Sequence, residues 1–149
     1  MNKQGGFSLM EMVIVMVIIG IIAVVATSQM PNQQIFQADG FREVLVQDLR
    51  LTQALSMSQN QRYRIVVGAS SYQIQNQSGS PVTNPETGGD STVYPTGLTV
   101  TPTTTVAFDG MGRPYDGGGA ALGGLLTFTV TAGSSTQTAS VTPQTGFVQ

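Results

Sequence analysis

A small-residue pair, Gly5-Gly6, precedes Phe7-Ser8-Leu9-Met10-Glu11 and an apolar run to Ala26 in which Glu11 is the one charged residue. That carboxylate is the first group along the chain placed to do chemistry. At bilayer depth an acid costs on the order of 2.5–3.5 kcal/mol on insertion scales, so its presence there asks for a function. It falls in the first turn or two of a helix, where the macrodipole favours negative charge. A cut after Gly6 gives Phe7 a free amine. That cation can pair with Glu11 four residues on, within one helix or between neighbouring helices. The competing reading is an interfacial Glu that snorkels towards the lipid headgroups.

Other candidate groups are weaker. Asp109-Gly110-Met111-Gly112-Arg113-Pro114-Tyr115-Asp116 carries two carboxylates. Calcium takes about six to eight oxygen ligands, acids are few here, and the spacing is not that of an EF-hand loop. A glycine-rich turn with solvated Asp is the expectation. Arg62 and Arg64 share one face of an expected strand, with Arg50 near them in sequence. Nucleic-acid backbones need a basic patch, but Thr145–Gln149 adds no basic side chain, so solvated or paired arginines are expected and no nucleic-acid partner. The chain has no Cys and no His, which excludes a zinc site and a thiol/imidazole pair. No Gly-x-Ser-x-Gly elbow occurs, and Gly117-Gly118-Gly119 and Gly123-Gly124 lack the Lys of a phosphate loop. Glu86, Asp90, Asp109 and Asp116 lie in expected loops with no pattern that would hold two of them at glycosidase distance. No catalytic residue, metal or cofactor is expected, and no enzyme.

The elements that must position Glu11 follow from hydropathy. Phe7 to Ala26, at about 1.5 Å per residue, makes roughly 30 Å of helix, enough to cross a bilayer core. A secretory signal peptide does not fit. No small-x-small site closes the run, the run is long for such a signal, and the small residues come before it. Lys3 is the basic residue ahead of the helix, so positive-inside logic keeps residues 1–6 cytoplasmic and sends the C-terminal domain outward. Six basic residues face eight acidic ones, a net charge of −2, and loss of Lys3 with a leader makes it −3. That balance gives no general attraction to nucleic acid or anionic lipid.

From Ser28 to about Ser58, Ile35, Ala38, Phe41, Leu45, Leu49, Thr52 and Leu55 recur at three- and four-residue steps. They predict an amphipathic helix with its apolar face on a core. Asp39, Arg42, Glu43, Asp48 and Arg50 lie mostly off that stripe. Pro31 marks a first turn or a kink. The two helices can form one rod, about 75 Å from Phe7 to Met57, with a weak point between Thr27 and Gln34. After Asn60 the period becomes two. Strands are expected over Arg62–Val67 (Tyr63, Ile65 and Val67 on one face), Ser71–Gln75, Leu98–Val100, Thr105–Phe108, Leu125–Thr131 and Gln137–Thr142. Gly68-Ala69-Ser70 and Gly133-Ser134-Ser135 are hairpin turns, and Gln77–Tyr94 and Gly117–Gly124 are loops. The partition is a leader over 1–6, a membrane and assembly helix over 7–27, an amphipathic helix over 28–58 and a β-rich head over 59–149.

Gly6-Phe7 followed by Ser-Leu-Met-Glu and an apolar run resembles the class III signal of type IV pilins and type II secretion pseudopilins. The resemblance implies an α+β pilin fold, a long N-terminal helix packed on an antiparallel sheet. It implies cleavage between Gly6 and Phe7 by a prepilin peptidase, N-methylation of Phe7, and a pairing of Glu11 with the N-terminus of a neighbouring subunit during filament assembly. Gly20 fits as a mid-helix glycine where such helices loosen. Where many members carry proline this chain has Ser28, its first proline being Pro31. The helix ending Leu45-x-x-x-Leu49-Arg50-x-Thr52-x-Ala54, the Arg62–Val67 strand, Phe108-Asp109-x-x-Gly112-Arg113 and the closing Thr145-Gly146 resemble the GspH- and FimT-type minor pilins, and those of the mannose-sensitive haemagglutinin pilus. Many major pilins close a C-terminal loop with a disulfide, and the lack of Cys leans toward a minor pilin or pseudopilin. The implied function is structural, as a minor pilin or as a pseudopilin, with DNA or surface binding as a third possibility. The implied partners are the prepilin peptidase, other pilins or pseudopilins, and an inner-membrane assembly platform. The implied location is the inner membrane, single-pass with a periplasmic head, then a filament.

Overall fold

The computed structural model describes residues 8–28, 33–85 and 88–149, with side-chain surroundings given except at 25–28 and 33. Helix α1 spans Leu9–Ser28. Ser8 precedes it, and its carbonyl accepts the N–H groups of Glu11 (3.0 Å) and Met12 (3.2 Å), closing the first turn. The large apolar side chains described along α1 are exposed on every side, from Leu9 (82%) to Val24 (72%). A helix apolar all round belongs in lipid or among other helices. Among the described residues no helix is long and apolar enough to cross a membrane. The span expected over 7–27 begins at Phe7 and ends beyond Val24, outside the residues whose side chains are described. Gly20 lies within the helix. The expected kink at Pro31, and with it the middle of the weak point from Thr27 to Gln34, falls outside the described residues.

The chain forms two compact units, Met1–Asn32 and Gln33–Gln149. The second opens with helix α2, Gln33–Gln59. Its inward stripe is Ala38, Phe41, Leu45, Leu49 and Thr52, as the spacing predicts, joined by Val46 and Ser56, while Ile35 is 49% exposed. Thr52 Oγ1 donates to the Asp48 carbonyl (2.6 Å) and Ser56 Oγ to the Thr52 carbonyl (2.9 Å), so both hydroxyls are buried with a partner. Asn60 ends the helix at φ 50. The Gln61 N–H then reaches back to the Ser56 carbonyl at 3.2 Å, a Schellman-type closure.

The strands are β1 (Tyr63–Val67), β2 (Ser71–Gln75), β3 (Thr92–Val93), β4 (Leu98–Thr101), β5 (Thr105–Phe108), β6 (Pro114–Asp116), β7 (Leu126–Ala132) and β8 (Ser135–Val141). They form two antiparallel sheets, in order β3-β2-β1-β5-β6 and β4-β7-β8. A single sheet was the expectation. The division comes where the chain leaves β4, which pairs with β7, and β5 instead pairs with β1. The registers Ile65↔Ile74 and Ile65↔Val106 put Tyr63, Ile65, Val67, Tyr72, Ile74, Val106 and Phe108 on the inner face. Phe128, Val130, Ala139 and Val141 complete the core from the smaller sheet. Helix α2 packs against β1, β5, β7 and β8, so both sheets share one core beneath it. The last residues clasp β8, with Ser140 N–H to the Gln149 carbonyl (2.7 Å) and the reciprocal bond at 3.1 Å. The architecture is α+β, a long helix packed on antiparallel sheet.

Strands β3 and β6 depart from the expected loop over Gln77–Tyr94 and turn over Asp109–Asp116. Both are short and lie at sheet edges. Pro114 opens β6, an edge position at which a missing N–H costs no ladder bond.

Candidate functional site

Glu11 stands in the first turn of α1, beside a groove lined by Met12, Val15, Met16 and Ile19. Four residues separate Glu11, Val15 and Ile19 in turn, so they share one helix face. A carboxylate therefore begins a stripe that is otherwise apolar. Among the described residues its side chain makes no ion pair. Gly6 and Phe7, expected to carry the cleavage and methylation, lie outside the described residues.

The two acids of the 109–116 segment each close a turn of their own. Asp109 Oδ1 accepts the N–H groups of Met111 and Arg113, both at 2.9 Å. Its Oδ2 takes Arg113 Nε (3.0 Å), Arg113 Nη2 (2.9 Å) and Tyr115 OH (3.2 Å). Burial pushes this carboxyl up, but those donors outweigh it and hold it below the ordinary value. Asp116 Oδ1 accepts the N–H groups of Gly118 and Ala120, both at 2.9 Å. Carboxylates engaged this way are turn-forming groups, and among the described residues no acid cluster could hold a metal ion. Glu86 lies outside the described residues.

Of the arginines, Arg50 Nη2 donates to the Val148 carbonyl at 3.0 Å, pinning the chain's last residues to α2. Arg62 and Arg64 lie together on the outer face of the five-stranded sheet. The structure thus separates Arg50 from the pair it neighbours in sequence.

Asp48 was expected off the buried stripe, and it is 4% exposed. Its Oδ2 accepts Tyr72 OH at 2.6 Å, and Asn84 Nδ2 lies 3.0 and 3.2 Å from its two oxygens. Burial, then the Asp48 bond, drives the Tyr72 phenol far above its ordinary range. Tyr72 also packs edge-on to Phe41 (6.0 Å between centroids), which meets Tyr94 at 5.4 Å. Burial pushes Tyr94 up to about 12. This network moors the loop after β2 to α2. An acid one step off an apolar stripe, Asp48 beside Leu49, was the one signal available in the sequence.

Comparison with known proteins adds two findings. Residues 1–27 match the family model described as the prokaryotic N-terminal methylation motif. The fold is similar to the crystal structure of the type IV minor pilin FimU of Pseudomonas aeruginosa strain PAO1, with a TM-score of 0.54 and 16% sequence identity over 75% of this chain and 86% of that one. At that identity the likeness is one of fold. No curated protein matches the sequence.

Proposed function

We infer that this chain, a type IV pilin-family protein by its N-terminal motif and its fold, is a structural minor subunit that takes part in assembling a type IV or related adhesive pilus. The observation that carries the reading is Glu11, an acid in the first turn of a helix whose large side chains are apolar and exposed all round. Prepilin peptidase removes residues 1–6 and Phe7 is N-methylated. Before assembly the helix anchors the protein in the inner membrane, single-pass, with the head in the periplasm. In the filament, apolar helices bury one another, and Glu11 neutralises the Phe7 amine of an incoming or neighbouring subunit. A register that leaves a buried charge unpaired costs about 3–5 kcal/mol, enough to choose one offset.

The same signal and fold serve a pseudopilin of a type II secretion system. We put the pilus first because a solved structure of similar fold is that of a type IV minor pilin. Recovery of the chain in sheared surface filaments separates the two. The test of the common mechanism is the intact mass of the protein from native membranes, where loss of residues 1–6 with gain of one methyl group is expected. Glu11→Ala should leave that processing largely intact and impair entry into filaments. Efficient incorporation of the variant would remove the role given to Glu11.

A further inference from the structure

On the outer face of the five-stranded sheet, Arg62 and Arg64 border one hollow of about 250 Å³ with Gln77, Thr105, Asp116 and Gly119. Side chains two residues apart on extended chain point to the same face, roughly 6.6 Å apart. Each guanidinium is placed by contacts that leave donors over. Arg64 Nε donates to Oε1 of Gln75, its cross-strand partner, at 2.9 Å. The Arg62 guanidinium lies 4.2 Å over the Tyr115 ring, whose hydroxyl donates to Asp109. Among the described residues neither arginine has a carboxylate within ion-pair distance.

A Cβ on Gly79 (φ +85) would come to 3.0 Å from Arg64 Nη2, while one on Gly119 (φ +86) would make ordinary contact, 3.7 Å, with Arg62 Nη1. The cross-strand neighbour of Arg64 in β5 is the small Ala107. Asp116 also borders the hollow, but its Oδ1 already accepts two backbone N–H groups. Two guanidinium groups thus face one engaged carboxylate, and the local balance is positive on a chain whose net charge is −2.

We propose that this hollow is a binding site for an oxyanion, a carboxylate or phosphate group carried by a small solute. Planar guanidinium forks suit either group, because each donates two parallel N–H bonds. The volume admits an anionic group and a short substituent. A nucleic-acid duplex would need a longer row of cations to track its phosphates, and the face supplies two.

The test is an NMR titration of the full chain in dodecyl maltoside micelles, following the arginine Nε–Hε signals at constant ionic strength. The probes are inorganic phosphate and acetate. The expected result is that Arg62 and Arg64 shift along a saturating curve with at least one probe, while Arg42, Arg50 and Arg113 stay in place. The probe that saturates at lower concentration assigns the group. Arg62→Gln and Arg64→Gln, made separately so that one folded variant suffices, should each weaken binding by about tenfold or more with the amide spectrum unchanged. No shift with either probe, or a linear drift of all the arginine signals together, would overturn the site. So would a short DNA duplex that saturates the same two signals about tenfold more tightly than phosphate, which would make the ligand nucleic acid.

Discussion

Asp48 is a carboxylate inside a core, and its acceptor oxygens serve two partners far away in sequence, Tyr72 at a separation of 24 and Asn84 at 36. Asp48→Ala removes the acceptor of both, and each buried donor so deprived costs about 1–3 kcal/mol. Urea unfolding should show a loss of about 2–5 kcal/mol, and Tyr72→Phe, which removes a single bond, a smaller one. Asp109 makes a pH-dependent contribution. Its folded pKa lies below the unfolded value, so the stability it gives is present above about pH 4 and is lost as pH falls through the folded pKa. Asp109→Asn should therefore be less stable than the parent at neutral pH, with the gap closing in acid, as urea midpoints across a pH series would report. Glu11 was legible in the sequence because it is the one charge in a long apolar run. The burial of Asp48 was not, because its partners are named only by the fold.

At the scale of elements, α2 was legible from its three- and four-residue steps, and β1, β2, β4, β5, β7 and β8 from alternation. Strands β3 and β6 were not, because two or three residues carry no period. The division into two sheets was not either, since it depends on which edges pair. Contacts between elements turn on a few backbone approaches. Gln53 Nε2 on α2 donates to the Gly112 carbonyl at 2.8 Å and lies 3.4 Å from that of Thr145. Gly146 adopts φ +66, and a Cβ there would run into the Gly112 carbonyl oxygen. Gly146→Ala is therefore expected to destabilise by more than about 1 kcal/mol. Gly123→Ala, where a Cβ meets open space, should change little. Thermal melts of the two variants against the parent test the contrast.

For the molecule as a whole, the chain divides between Asn32 and Gln33 into two compact units, and α2 belongs to the second with the strands. The head holds its own core of α2 and both sheets. A fragment of residues 33–149 should unfold in one cooperative transition without detergent, while the full chain should need detergent to stay dispersed; calorimetry and sedimentation check both. The strand order carries a consequence of its own. Strands β2 and β1 come before the 82–91 stretch, β3 and β5 after it, and in the sheet the first two lie side by side between the second two. A chain divided within that stretch would yield two pieces, neither of which holds the whole five-stranded sheet, though the second keeps the smaller one. Each would supply what the other lacks, and α2 on one would close the core over β7 and β8 of the other. Co-expressed, the halves should find each other and refold as a heterodimer. The head would then serve as a split reporter, silent until both parts meet.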